Sequence, residues 1–522
     1  MPATYSYPGV YIQEVPSGVR TITGVSTSNT AFVGYFSRGP MNEAVRITGP
    51  ADFERTYGGL DIDSEASYAI RQYFANGGSV AFVVRVAGGS YSAAGTTLQG
   101  GSPLQDTLRI DAANPGEWGR SLRVAAVDAG TANSRFNLLI REVTRSNGRE
   151  QAVREEIHRN LSMSLTDSHY VVDTIKRASA LIRATNAGLG HTPITGAVDA
   201  NGGVPDSAFV PLTGGGNGTS PPDANAILGS QSAKTGLYAL ETIAPAVFSL
   251  LCIPAAADLG DTSYTQVLTD ATKYCEDKRA FLLIDIPDSV DSEAKMRQWV
   301  RDHNGLRHTN TAVYFPRVLV PDPLNEYRPR NIGASGTMAG VYARTDSERG
   351  VWKAPAGTDA ALRGVTLPVK LNDLENGGLN PLGVNVLRTF PVFGNVSWGA
   401  RTLEGADQLA SEWKYIPVRR TALFIEETLY QQLKWVVFEP NDEPLWSQVR
   451  LNVGAFMHNL FRQGAFQGST PKDAYLVKCD SETTTQNDID SGIVNILVGF
   501  APLKPAEFVM IKIQQLAGQI QT

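Results

Sequence analysis

The chain has 522 residues, 42% hydrophobic and 19% charged, which is the make-up of a globular protein with room for several domains, each with its own core. Its 46 basic and 52 acidic residues leave a net charge of −6, and no block of five or more like charges occurs, which argues against nucleic acid as a direct partner. The three cysteines (Cys252, Cys275, Cys479) are odd in number and far apart, the opening MPATYSYPGV has no secretion-signal pattern, and no apolar run nears the roughly 20 residues of a membrane span. A reducing cytoplasm without membrane insertion is expected.

The first element, PGVYIQEVPSG over residues 8–18, carries the strand formers Val10, Ile12 and Val15. Pro-Gly and Pro-Ser-Gly punctuate its two ends, so no hairpin partner follows it. NTAFVGYFSRGP (29–40) is an apolar run closed by a turn. SEASYAIRQYFANGG (64–78) has a Ser64 cap, helical spacing at Ala66, Ile70 and Phe74, and a double-glycine stop. SVAFVVRV (79–86) completes a strand, helix, strand unit. From residue 88 to 222 the texture changes to Gly, Ser, Thr and Asn with short strand-like pieces such as TLRIDA, SLRVAAVDA and FNLLIREV, which predicts a β-rich insertion. LTGGGNGTSPPDANA (212–226) closes it as a flexible connection.

Beyond it apolar strands and helices alternate: AVFSLLCIPA, SYTQVLTDATKYCEDK, AFLLIDIP, SEAKMRQWVRDH, TAVYFPRVLV. That rhythm predicts a parallel sheet covered on both faces, with residues 64–86 joining it across the insertion. Residues 321–401, dense in Gly, Pro and Asn, read as irregular partner-facing surface. A helical hairpin is expected from residue 419 onward, its second helix starting at Asn441 or Asp442 with Pro444. A polar link then precedes a last strand pair, IVNILVGFAPLKP with AEFVMIKI. In the latter Val509, Ile511 and Ile513 form one β-branched face, while Phe508, Met510 and Lys512 point the other way. The chain therefore begins and ends in strands without evident partners.

Chemistry is sparse. GSQSAKT (229–235) is one residue short of a phosphate loop and has Ala233 where glycine is required. No cofactor site and no metal-ligand spacing is found. Asp285, at the end of LLIDIP, occupies the strand-end position where open α/β sheets place ligands, although Asp288 nearby reads as a helix cap. Ser335 in GASG resembles half of a nucleophile elbow and reads better as a turn serine. An α/β hydrolase-like enzyme using Asp285 or Ser335, and a receptor- or glycan-binding protein acting through the insertion, are the alternatives these features leave open.

Several ordered stretches carry a resemblance: PGVYIQEVPSG, GVSTSNTAFVGYFSRGP, YAIRQYFANGGSVAFVVRV, YFPRVLVPDP, GVYARTDSERGVWKAPAG, WKYIPVRRTALFIEETL, FEPNDEPLWSQVR and VGFAPLKPAEFVMIKI. Together they resemble the contractile tail sheath proteins of bacteriophages and phage-like injection systems. The resemblance covers roughly the first 90 residues and nearly all of the chain after residue 226, and leaves the insertion unmatched. It implies a non-enzymatic structural subunit without cofactors, assembled in a bacterial cytoplasm. Copies would form a homo-oligomeric helical stack of hexameric rings around an inner tube protein, bounded by a baseplate and by terminator or cap proteins, in a phage tail or injection particle. The fold class expected is α/β plus α+β and multidomain. Its parts are an N-terminal arm strand (1–20), a first part of the α/β sheath domain (21–87), an outward β-rich insertion (88–222), a second α/β part (223–385), a C-terminal α+β assembly domain facing the tube (386–505) and a C-terminal arm strand (506–522). In such proteins the arms leave their subunit and add strands to neighbours. Here Val10, Ile12 and Val15 would form one arm, and Phe508, Val509, Ile511 and Ile513 the other. Lys414, Arg419, Arg420, Asp488 and Asp490 are the expected tube-facing residues.

Overall fold

The structure of the chain, a computed structural model, describes residues 20–129, 135–146, 148–188, 191–198 and 203–512. They fall into two compact units: Ser26–Arg419, and the residues up to Val25 together with those from Arg420 onward.

The larger unit is built on an eight-stranded sheet. From one edge to the other its strands are Gly394–Ser397, Val384–Phe390, Thr311–Phe315, Phe281–Ile284, Leu250–Cys252, Thr30–Gly34, Ala81–Arg85 and Ala44–Ile47. Neighbours pair in parallel except at the two ends, where Gly394–Ser397 and Ala44–Ile47 run antiparallel. The central segments TAFVG, AFVVR, FLLI and TAVYF are buried throughout, because helices cover both faces of a parallel sheet and no alternation with polar residues survives. On one face the helix Asp261–Asp277 adds Tyr264, Val267, Leu268 and Ala271 to a core containing Leu251, Leu282 and Val313. Another layer pairs helix Glu65–Ala75 with helix Ser335–Arg349. Their backbones approach so closely that a Cβ on Gly336 would lie 2.3 Å from the Ala69 carbonyl oxygen, and one on Gly340 2.5 Å from that of Tyr73.

Residues 88–219 leave and re-enter this sheet at one place, where Gly88 pairs with Thr219. Between these points lie two four-stranded antiparallel sheets. They enclose a separate core of Leu98, Leu108, Ile110, Leu122, Val124, Phe136, Leu138 and Ile140. The glycine-rich stretch expected to be a flexible connection is instead the strand Thr213–Thr219, paired with Gly88–Gly100. Main-chain hydrogen bonds need no side chain, so composition alone misleads there.

Three other expectations are corrected. The sheet runs through residue 390 to Ser397 and its unit reaches Arg419, so no boundary falls at 385/386. Residues 321–401 are irregular only in part: 350–372 hold no helix or strand, but the fifteen-residue helix Ser335–Arg349 and two sheet strands lie in the same range. Asp288 caps nothing: the N-cap of helix Glu293–Asp302 is Ser292, whose hydroxyl accepts from the Lys295 N–H at 3.4 Å.

In the smaller unit, which holds most of helix Ile416–Gln432, that helix meets Glu443–Arg462 through Phe424 and Phe456, whose rings lie 6.1 Å apart. Asp442 caps the second helix, with proline in its first turn, and Leu445, Val449, Val453, Met457 and Leu460 make its buried stripe. The last strand pair differs from expectation. Leu497–Phe500 pairs with Tyr475–Lys478, not with the segment after residue 505. Pro502 and Pro505 lack the amide hydrogens that a hairpin there would use.

Candidate assembly interface

After Phe500 the chain is tied down twice: the Gln467 N–H donates to the Ala501 carbonyl at 2.9 Å, and the Ala501 N–H to that of Ala474 at 2.8 Å. It then departs. Residues 503–512 take no regular structure, and Phe508, Val509, Met510 and Ile511 are 80–82% exposed. Four consecutive large apolar side chains in water forgo about 1.5–3 kcal/mol each relative to full burial, a cost that marks a segment awaiting a partner. Ile513 lies outside the described residues.

The sheet beneath is incomplete in a matching way. Tyr475–Lys478 and Leu497–Phe500 form a two-stranded sheet whose Leu476 and Leu497 are each 52% exposed. Two strands alone are marginal, and a third restores both backbone pairing and an apolar face.

At the other end of the chain Val10, Ile12 and Val15 also lie outside the described residues, but the point from which they depart is fixed. The Arg20 N–H donates to Asn452 Oδ1 at 3.0 Å, and its guanidinium lies 4.6 Å over the Trp435 ring. The Val25 N–H donates to Thr428 Oγ1 at 3.2 Å. Gly24 sits against the Phe424 ring, where a Cβ would come within 2.8 Å. Residues 20–25 are thus fastened along the helical pair, far in sequence from everything they touch.

The polar residues expected to face a tube are mostly occupied within the subunit. Lys414 Nζ pairs with Asp407 at 2.7 Å, and Asp407 also holds Arg401 at 2.9 Å. Arg419 Nε donates to Asn310 Oδ1 at 2.8 Å while its guanidinium covers the Trp413 ring. Arg420 is corrected: it is only 4% exposed. It belongs to the stripe Ile416, Arg420, Leu423, Glu427, one buried face of its helix, so it offers little surface. Asp488 accepts from Thr485 N–H at 2.9 Å and Thr485 Oγ1 at 2.7 Å, bonds that hold its carboxyl below the usual range. Asp490 is exposed and accepts from Gln486 Nε2 at 2.8 Å.

The two residues of the enzyme alternative meet each other. Ser335 N–H donates to Asp285 Oδ1 at 2.8 Å and its hydroxyl donates to Oδ2, with Asp285 5% and Ser335 2% exposed. A Cβ on Gly333 would lie 2.3 Å from the Asp285 carboxyl carbon, so the packing above that carboxylate is closed. Beside it Arg317 donates to the Ile286 carbonyl at 2.7 Å and to Glu65 Oε1 at 2.8 Å. The arrangement places a buried carboxylate on the N-terminus of helix Ser335–Arg349, where the helix dipole favours negative charge. That is an anchor joining strand end to helix. Among the described residues no cluster of His, Cys, Asp and Glu is disposed to hold a metal ion, and no helix is long and apolar enough to cross a membrane.

Comparison with known proteins supports the assembly reading. Residues 409–515 match the family model of the phage tail sheath C-terminal domain, a range that includes the helical pair, the two-stranded sheet and the exposed residues 503–512. Over 293 residues the chain is 27% identical to a prophage major tail sheath protein of Pseudomonas aeruginosa, covering 54% of this chain and 70% of that protein. It is also 27% identical over 191 residues to the tail sheath protein of Vibrio phage KVP40, covering 36% of this chain but 27% of the longer phage protein. Its fold is similar to the contracted sheath of the extracellular contractile injection system PVC (TM-score 0.58, 21% identity, 98% of both chains). It is likewise similar to a sheath tail protein of Listeria innocua (TM-score 0.58, 13% identity, 92% of this chain and 96% of that one). Fold over nearly the whole length, sequence over half of it and the C-terminal match converge: the chain is similar to contractile tail sheath proteins, and its residues 409–515 match the phage tail sheath C-terminal domain.

Proposed function

We propose that this protein is the repeating subunit of a contractile sheath, polymerising helically around an inner tube and shortening to drive that tube through a target envelope. The exposed apolar segment Phe508–Ile511, beside a sheet of two strands, is the observation that carries the reading. In an assembled sheath the tail of one copy adds to the two-stranded sheet of a neighbour, and the segment preceding Arg20 does the same from the other end. Main-chain hydrogen bonds supply strength, and alternate apolar side chains set the register. Because donor and acceptor lie on different surfaces, such contacts are heterologous and propagate as rings and helices.

Contraction needs no nucleotide in this scheme. A packing difference of about 2 kcal/mol per subunit, ordinary for a bistable interface, sums to hundreds of kcal/mol over a few hundred copies. The two arms keep neighbours connected while the bodies rotate. A baseplate that holds the extended state, a terminator at the far end and a tube contact on the C-terminal unit complete the proposal. The anchor at Asp285 and Ser335 keeps the body rigid and takes no part in chemistry.

Electron microscopy of the full-length protein, co-expressed with its tube protein, beside a variant lacking residues 1–18 tests the reading. Tubes or stacked rings from the first and dispersed particles from the second are expected. Equal assembly by both would remove the N-terminal arm from the mechanism, and dispersed particles from both would overturn the sheath reading.

A further inference from the structure

Two features remain unused by the arms. The first is a cleft of about 370 Å³ at the C-terminal end of helix Ser335–Arg349. Arg344, Arg349, Lys353 and Arg363 line it, against the carboxylates of Glu348 and Asp359, over small side chains that include Ala354 and Ala361. Arg344 is buried and spends its guanidinium on the carbonyls of Asn76 (2.9 Å) and Ala361 (2.6 Å). Lys353 Nζ reaches only carbonyls, those of Ala354 (3.2 Å) and Ala356 (3.5 Å). Arg349 and Asp359 pair loosely at 3.4 Å on the rim, and Arg363 is exposed with no ion pair among the described residues. Burial lowers the pKa values of both Lys353 and Arg344, and their cationic neighbours Arg349 and Arg363 add to it. The cleft therefore carries excess positive charge, only part of it matched from within.

The second is the loop between the two helices of the smaller unit. Phe438 is 103% exposed and sits at φ 70°, a left-handed conformation costly for an aromatic residue. Val437 is 62% exposed beside it. Three acidic residues follow: Glu439, Asp442 and Glu443. Asp442 caps its helix and Glu443 pairs with Arg450, whereas Glu439 has no ion pair among the described residues. An aromatic side chain presented fully to water with a carboxylate beside it complements a cleft with a small-residue floor and a cationic rim.

We propose that the cleft of one subunit receives the Phe438–Glu439 loop of a second copy of this chain, the phenyl ring settling on the alanine floor and the Glu439 carboxylate meeting Arg363 and Lys353. The contact rests on the sheath reading. It ties the smaller unit of one copy to the larger unit of another.

The test uses full-length protein co-expressed with the tube protein, scored by sedimentation and microscopy. Arg363→Glu and Glu439→Arg alone should each lower the assembled fraction at least about tenfold. Both sites are exposed, so the melting temperature of unassembled protein should stay within about 2 °C of the parent. The two variants mixed should assemble again, because each then offers the charge that the other lacks. Rescue in the doubly substituted chain without rescue in the mixture would place the contact within one chain and overturn the proposal, as would normal assembly of Arg363→Glu or failure of both rescues. Absence of tubes from the unmodified protein would instead count against the sheath reading, so the two failures are distinguishable.

Discussion

Glu65 opens the helix Glu65–Ala75, its side chain buried between Arg317 and the Gly333 amide. Burial raises its pKa to about 7, opposed by Arg317 and assisted by Asp258 and Asp285. The ordinary value that applies to the unfolded chain is 4.5, so between pH 4.5 and 7 the folded state binds more protons than the unfolded one. Stability is therefore lost as pH rises through that window. At about 1.4 kcal/mol per pH unit the whole effect is on the order of 3 kcal/mol. Glu65→Gln keeps an oxygen acceptor for Arg317 and removes the titration. Urea unfolding at pH 5 and pH 7 should show the parent losing stability relative to the variant over that step, and parallel behaviour of the two proteins would refute the assignment. Arg317 responds in the opposite sense: burial works against its cation, yet Glu65 and Asp285 together hold it above its ordinary value. The cluster is consequently pinned by one cation that cannot be neutralised, which suits a joint between sheet and helix that must survive large forces.

Among the elements, the tail makes the sharpest prediction. Val509→Lys with Ile511→Lys places charge on two residues that are 82% and 80% exposed in the single chain, so the fold should be unaffected within about 0.5 kcal/mol. Assembly should fail, because in the proposed sheath the same two positions form the buried face of an added strand. A melting curve and sedimentation of the same sample read the two effects separately, and normal tubes from the variant would eliminate the tail as a donor strand. The contrast explains what could be read in the sequence. Ser64, Asp442 and Pro444 mark helix starts by local chemistry, and FLLI and AFVVR mark buried strands by unbroken apolar character, so these elements were legible. Helix Ser335–Arg349 was not. All of its residues from Ser335 to Arg344 are buried, so no amphipathic period develops, and Gly336 and Gly340, which permit its close approach to Ala69 and Tyr73, resemble breakers in isolation. Likewise the apolar character of the tail was legible, but the strand Tyr475–Lys478 as the partner of Leu497–Phe500 was not, since pairing across about 20 residues leaves no local mark. The proximity of Asp285 and Ser335, fifty residues apart, is a product of strand order in the same way.

On the scale of the molecule the insertion is separable from the machine. Its ends meet at the Gly88–Thr219 pair, it has a core of its own, and the parallel sheet continues across it from Ala81–Arg85 and Thr30–Gly34 to Leu250–Cys252. What joins it to the sheet is a small set of contacts. Arg85, fully buried, donates to the Gly39 carbonyl at 2.8 Å and to the Pro115 carbonyl at 2.7 Å, while Arg38 pairs with Glu142 at 2.7 Å and stacks on Trp118 at 4.2 Å. Replacing residues 89–218 by a short glycine-serine link leaves every strand of the eight-stranded sheet in place but exposes Arg85 and removes one of its acceptors. A guanidinium opened to water recovers most of what it loses, so the cost should be about 1–3 kcal/mol and not the loss of the fold. The shortened chain should give a single cooperative unfolding transition and, with the tube protein, still form tubes of reduced outer diameter. An unfolded product would mean that the two cores depend on each other. Folded chains that no longer assemble would make the insertion part of the lattice. Tubes that form but have an unchanged diameter would mean that it does not face outward, so the same micrographs separate decoration, lattice contact and inner lining.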